Sequence, residues 1–155
     1  MEGAAAAQYF TALTEILPAS LKFSGRNRRP PMDPVNAVLS LTYTLLHSEA
    51  VLALHGSGLD PFIGFYHALS FGRESLASDV MEALRPDADR FVLSLFRKED
   101  LRPDDFSMTS TGCLMKKAGR GRFYGAYETQ AERFRRDLSV AVNDIVQVVK
   151  HEPPS

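Results

Sequence analysis

Asp79 and Glu82 stand three residues apart in a segment where Leu76, Val80, Met81 and Leu84 recur at helical spacing, so the two carboxylates share one helical face. Two carboxylates on one edge repel unless a cation or an arginine stands between them. Arg73 and Arg85 are at hand, and spacing alone favours an ordinary salt-bridged surface over a metal site. His67 closes an aromatic-rich run from Phe62 to Tyr66. On its own it reads as a satisfied histidine; as a metal ligand it would donate its second ring nitrogen to a carbonyl or carboxylate. Glu2 opens a helical segment, where the macrodipole favours a carboxylate by about 0.3–1 kcal/mol, which accounts for it without any function.

The remaining chemistry is basic. Arg26, Arg28 and Arg29 cluster after Lys22; Lys116, Lys117, Arg120 and Arg122 form a second cluster; Arg133, Arg135 and Arg136 form a third. Any one of these reads first as a solvated face, yet clusters bind phosphates even when a chain's overall charge is near zero, and here the formal net charge is −1. The sequence lacks a glycine-rich phosphate loop, a nucleophile elbow, a His-Glu-x-x-His helix and a Cys-x-x-Cys pair. A single cysteine, Cys113, forms no intramolecular disulfide and no thiolate cluster, which suits a reducing, cytoplasmic setting. With 155 residues, 45% hydrophobic and 24% charged, the chain is of ordinary domain size and globular composition. Its longest apolar stretch, Val35 to Leu46, is interrupted by Asn36, Ser40, Thr42 and Thr44, and reads as too short and polar to span a bilayer; no secretory signal precedes it.

The elements that must position these groups are helical. An alanine-rich helix covers 2–17, with Tyr9, Phe10, Leu13, Ile16 and Leu17 at helical spacing, and stops at Pro18. Residues 19–32 read as a loop. Asp33-Pro34 is a cap followed by a pre-organised first turn, opening a long helix to about Leu54. Asp60-Pro61 repeats that signal before a helix of about two turns ending at His67. Ser75 caps the next helix, which Pro86 is expected to stop, and Asp87 opens another with Phe91, Val92, Leu95 and Phe96 inward. Residues 99–114 are irregular, with room for a short strand between Ser107 and Leu114. A final helix spans Phe123 to Val149, with Phe134, Leu138, Val142, Ile145 and Val149 on one stripe. The expected architecture is all-α, one orthogonal bundle of roughly six helices over residues 1–150, with a disordered tail over 151–155.

Four stretches together resemble one family. They are Glu2-Gly3-Ala4-Ala5-Ala6 with Tyr9-Phe10; Asn27-Arg28-Arg29-Pro30-Pro31 with Asp33-Pro34-Val35-Asn36-Ala37; the run from Gly58 to His67; and the run from Gly72 to Pro86. In this order they resemble the C-terminal domain of the Cas-one family, the CRISPR spacer-acquisition integrase and endonuclease. The resemblance implies the helical catalytic domain of that family, without the N-terminal β-rich domain through which its members form homodimers. It implies a site for Mg²⁺ or Mn²⁺ made of Glu2, His67 and Glu82, with Asp79 matching a second acidic position. Carboxylate oxygens with one imidazole suit those ions. Glu2 lies at the first turn, so metal binding by the isolated domain is expected to be weak.

The implied activity is metal-dependent phosphodiester cleavage and strand transfer in CRISPR adaptation. The implied partners are DNA (prespacer and CRISPR repeat, branched or double-stranded) and a second CRISPR adaptation protein, with no membrane role. Arg26, Arg28, Arg29, Arg73, Lys116, Lys117, Arg120 and Arg122 become candidates for phosphate contacts, which position DNA without reading its sequence. Two other readings stand beside this one: a non-catalytic helical module that binds DNA or scaffolds the adaptation complex, and a domain that docks on other proteins.

Overall fold

A computed structural model describes residues 2–27, 29–63 and 74–151, with the side chains of 2–7 and of 151 outside the described set. Its elements are helix α1 (Glu2–Ile16), α2 (Pro34–Gly56), α3 (Ser75–Arg97), strands β1 (Phe106–Thr109) and β2 (Gly112–Met115), and helix α4 (Lys117–His151). The strands form an antiparallel hairpin in which Phe106 pairs with Met115 and Thr109 with Gly112. The chain packs as two compact units, Met1–Thr42 with Asp89–Tyr127 and Tyr43–Ala88 with Glu128–Ser155.

The mainly helical class holds, with four α-helices among the described residues instead of roughly six. The expected two-turn helix ending at His67 falls largely on residues outside the described set, and Phe62-Ile63 before it are turn and coil. The two helices expected on either side of Pro86 are one, α3. Proline there removes one backbone donor and crowds the carbonyl four residues back. Pro86 lies on the exposed side, and the buried stripe of Leu76, Val80, Leu84, Ala88, Phe91, Val92 and Leu95 continues past it unbroken. Burying such side chains yields about 1.5–3 kcal/mol each, enough together to outweigh a proline penalty of about 3 kcal/mol. The hairpin occupies the stretch with room for a strand, and α4 begins at Lys117, six residues before the expected Phe123.

In the first unit, Val35, Val38, Leu39, Val92, Leu95 and Phe123 are at most 2% exposed. Phe91, Phe123 and Tyr127 meet with ring centroids 5.9–6.2 Å apart, and Phe96 packs on Phe106 at 6.1 Å. Of the expected inward residues of α1, Leu13 and Leu17 are buried, while Tyr9 and Ile16 are exposed. In the second unit, Leu46, Ala50, Leu54, Phe134 and Leu138 are fully buried, whereas Val149 at the end of the expected stripe is exposed. Arg135 meets both carboxylate oxygens of Glu49 at 2.7–3.1 Å, and the Arg85 guanidinium lies 5.2 Å from the centre of the Tyr43 ring. By length and composition alone α2 would cross a membrane, but Val35, Val38, Leu39, Leu46, Ala50 and Leu54 along it are buried against protein.

Candidate functional site

Asp79 and Glu82 share a face of α3, as their spacing requires, yet their surroundings differ. Glu82 is exposed and paired with Arg85 at 3.2 Å across one helical turn. The salt-bridged surface that spacing favours is therefore present at this carboxylate. Asp79 is half-buried in a groove of about 410 Å³ between α3 and the last third of α4, lined by Leu76, Val80, Ala83, Ile145 and Val148, with Asp144 as a second carboxylate. Just before α3, Glu74 faces His47 of α2, with 3.5 Å between Oε2 and Nδ1. His67 and Arg73 lie outside the described residues, as does Arg28, and Glu2 is fixed only as the first residue of α1. Among the described residues no three of His, Cys, Asp and Glu come together as a metal-holding group. The donor chemistry on α3 nonetheless fits a hard divalent ion: two carboxylates one turn apart, one of them exposed and paired with a half-buried arginine that a cation would displace.

The first basic cluster is built around a buried polar network. Asp33 caps α2 by accepting the Asn36 backbone N–H at 2.8 Å, confirming the helix start read from Asp33-Pro34. The Asn36 amide donates to the Asp33 carboxylate at 2.6 Å and to the Gly25 carbonyl at 2.8 Å. Its carbonyl accepts from the Arg26 guanidinium at 2.8 Å and from the Asn27 N–H at 3.0 Å. Arg26 also reaches Ser40 at 3.2 Å, and the Asn27 side chain accepts the Met32 N–H at 3.0 Å. The Arg26 guanidinium thus braces the loop against α2, while Arg29 is exposed and makes no ion pair among the described residues.

The second cluster divides in the same way. Arg122 pairs with the Asp105 carboxylate and donates to the Asp100 carbonyl at 3.0 Å. The Lys116 ammonium rests on the Asp104 carbonyl at 2.8 Å. Lys117 and Arg120 are exposed, with no ion pair among the described residues. In the third cluster Arg135 is held by Glu49 and Arg133 by Asp87 and Asp137.

Asp105 anchors this end of the fold. Its burial alone would raise its carboxyl pKa, but hydrogen bonds from the Arg122 side chain and the Arg102 backbone, and the charges of both arginines, bring it below the usual 3.8. A depressed folded-state value contributes stability above the unfolded value, and that stability is lost as pH falls through the folded one. Asp105→Asn is therefore expected to lower stability at neutral pH and to flatten the fall in stability below about pH 4. Urea titrations from pH 7 to pH 2 check this; equal acid sensitivity of the two proteins would contradict it.

Sequence reasoning singled out Asp33, Asp79, Glu82 and the basic clusters. It missed Asn36 and Asp105 as structural anchors and Gly112 and Gly119 as close-contact positions. Gly119 sits where a Cβ would come within 2.9 Å of the Asp105 Cβ. The only local signals were a polar residue inside an apolar helix and glycines beside charged turns.

The described structure is thus a mainly helical domain that carries an acidic pair on one long helix and exposed cations around a small hairpin. The chain belongs to the family of CRISPR associated protein Cas1, whose family model matches residues 1–129. It is 50% identical over 137 residues to the CRISPR-associated endonuclease Cas1 1 of Thermodesulfovibrio yellowstonii, covering 87% of this chain and 43% of that relative. Among solved structures it is similar to a Cas1 protein from Thermotoga maritima, with a TM-score of 0.88 and 26% identity over 97% of this chain and 51% of the other. It is also similar to a casposase bound to its integration product, with a TM-score of 0.75 and 28% identity over 83% of this chain and 37% of the other. Similarity to a partial Cas6-RT-Cas1–Cas2 complex has a TM-score of 0.83 and 29% identity, over 93% of this chain and 47% of that one. The chain spans less than half the length of the endonuclease relative, and matches the C-terminal part of the family.

Proposed function

We propose that this chain is a metal-dependent DNA endonuclease and integrase domain acting in CRISPR adaptation. The observation that carries the proposal is the acidic pair on α3, in a chain half identical to a Cas1 endonuclease. Glu2, His67 and Glu82 would hold Mg²⁺ or Mn²⁺, with Asp79 one turn away orienting the set. The bound ion would supply charge neutralisation on the scissile phosphate and lower the pKa of the attacking hydroxyl or water. In strand transfer, a DNA 3′-hydroxyl oxygen bonds to phosphorus as the bond to the target strand's 3′-oxygen breaks and that oxygen leaves with the proton. In nicking, water takes the place of the hydroxyl.

Exposed Arg29, Lys116, Lys117 and Arg120, together with Arg28 and Arg73, would contact the phosphate backbone. Arg26 and Arg122 support the segments that carry them. A similar structure is that of a casposase with an integration product, and another is that of a complex containing Cas1 and Cas2. Both support DNA and a second adaptation protein as partners. A cytoplasmic site of action is part of the same reading.

The test is incubation of this chain with branched DNA in Mn²⁺. Cleavage or joining abolished by EDTA is expected. DNA binding indifferent to EDTA and to Glu82→Gln, without cleavage, would favour the non-catalytic scaffold reading. Failure to bind DNA at low salt would favour a protein-docking domain.

A further inference from the structure

The two basic segments with exposed cations are far apart in sequence but belong to the same compact unit, the first. The Cys113 N–H donates to the Pro31 carbonyl at 2.7 Å, clasping β2 to the loop that carries Arg29. Gly112, at φ +115°, makes the close approach feasible: a Cβ there would stand 2.7 Å from the Pro31 oxygen and 2.8 Å from the Pro30 Cβ. From Gly112 the strand runs to Met115, and the Lys116 N–H is tied to the Asp105 carbonyl at 2.7 Å. Four residues of strand cover about 13 Å, close to four base-pair steps of about 3.4 Å in a B-form duplex. At the other side the loop is bolted to α2 through Asn27, Asp33 and Asn36.

We infer that Arg29 and the Lys116–Arg120 segment form a single phosphate-binding track for the backbone of one DNA duplex, with Gly112 and the Pro31–Cys113 hydrogen bond as the positioning device. The inference rests on the DNA-acting reading above and adds that the two segments work as a unit. Arg26 and Arg122 stand outside the track because their guanidinium groups are engaged within the protein. Lys116 contributes from a fixed position, its ammonium held on the Asp104 carbonyl.

The experiment measures affinity for a 12-base-pair duplex against salt concentration, without divalent metal, so that cleavage plays no part. Each phosphate contact contributes about 0.9 to the slope of log affinity on log salt. Arg29→Ala and Arg120→Ala are each expected to reduce the slope by about that amount, and the double variant's loss of affinity to equal the product of the single losses. One duplex is expected to bind per chain. Gly112→Val removes no charge, yet is expected to reduce the slope about as much as Arg29→Ala. Lys117→Glu supplies a readout apart from folding, because it replaces a cation by an anion at a helix start. It is expected to raise the melting temperature while weakening DNA binding.

A folded Gly112→Val protein with the parent slope would overturn the positioning role. Where that variant does not fold, two duplexes bound per chain, or a slope unmoved by either arginine substitution, would overturn the single track. Absence of binding by the parent chain at low salt would instead overturn the DNA-acting reading on which the track rests.

Discussion

His67→Ala is expected to reduce Mn²⁺-dependent cleavage of branched DNA by more than about 100-fold while leaving the circular dichroism spectrum and melting temperature unchanged. Loss of a group that merely orients a metal ligand typically costs about 10–100-fold, so loss of a ligand itself should exceed that range. The side chain is assigned by the match of the run from Gly58 to His67, not by geometry. The expectation of an intact fold has a physical basis: among the described residues each unit already has a buried core, chiefly on α2, α3 and α4. Undiminished cleavage by the variant would remove His67 from the site.

The largest expected loss of stability is at Phe123. Its side chain is fully buried, stacked on Tyr127 with centroids 5.9 Å apart and meeting Phe91 at 6.2 Å. Truncation to alanine removes the transfer free energy of the ring and leaves a cavity, together about 3–5 kcal/mol. At about 2–4 °C per kcal/mol for a chain of this size, the melting temperature should fall by about 10 °C. Phe123 follows the Lys117–Arg120 turn on α4, so the variant should also bind DNA more weakly as the start of that helix loosens. A melting temperature within about 2 °C of the parent, which by the same conversion means a loss of about 1 kcal/mol or less, would contradict this packing account.

How far the sequence foretold these features depends on whether each is locally encoded. Asp33 followed by Pro34 fixes a helix start through one side-chain acceptor and one preset φ angle, and the structure places α2 there. Pro86 carries an equally local signal for a helix stop, and that signal loses because the apolar stripe on both sides of it is buried in continuous register. The first turns of α4 carry Gly119 and Gly121, poor helix formers, and Gly119 packs close against Asp105 and Met115 of the preceding turn and hairpin, a contact that helix propensity does not encode. The same holds for the clasp between Pro31 and Cys113.

At the candidate site, spacing put Asp79 and Glu82 on one face, and the structure adds what spacing could not. Glu82 is exposed and lightly paired, while Asp79 is sunk between α3 and α4. Pairing separates the arginines: Arg26 and Arg122 look like Arg29 and Arg120 in sequence, but their guanidinium groups are occupied within the protein. Asn36 escaped notice because a buried amide bridging a loop to a helix leaves no periodic mark.

The most direct measurement is the rate of branched-DNA cleavage as a function of Mn²⁺ concentration, for the parent chain, Glu82→Gln and Asp79→Asn. If Glu2, His67 and Glu82 hold the ion, the parent rate rises and saturates with Mn²⁺ and vanishes in EDTA. Glu82→Gln is then inactive at every concentration, and Asp79→Asn is impaired but restored toward the parent rate by excess Mn²⁺. Cleavage that persists in EDTA, or a Glu82→Gln protein with the parent's Mn²⁺ dependence, would contradict the account.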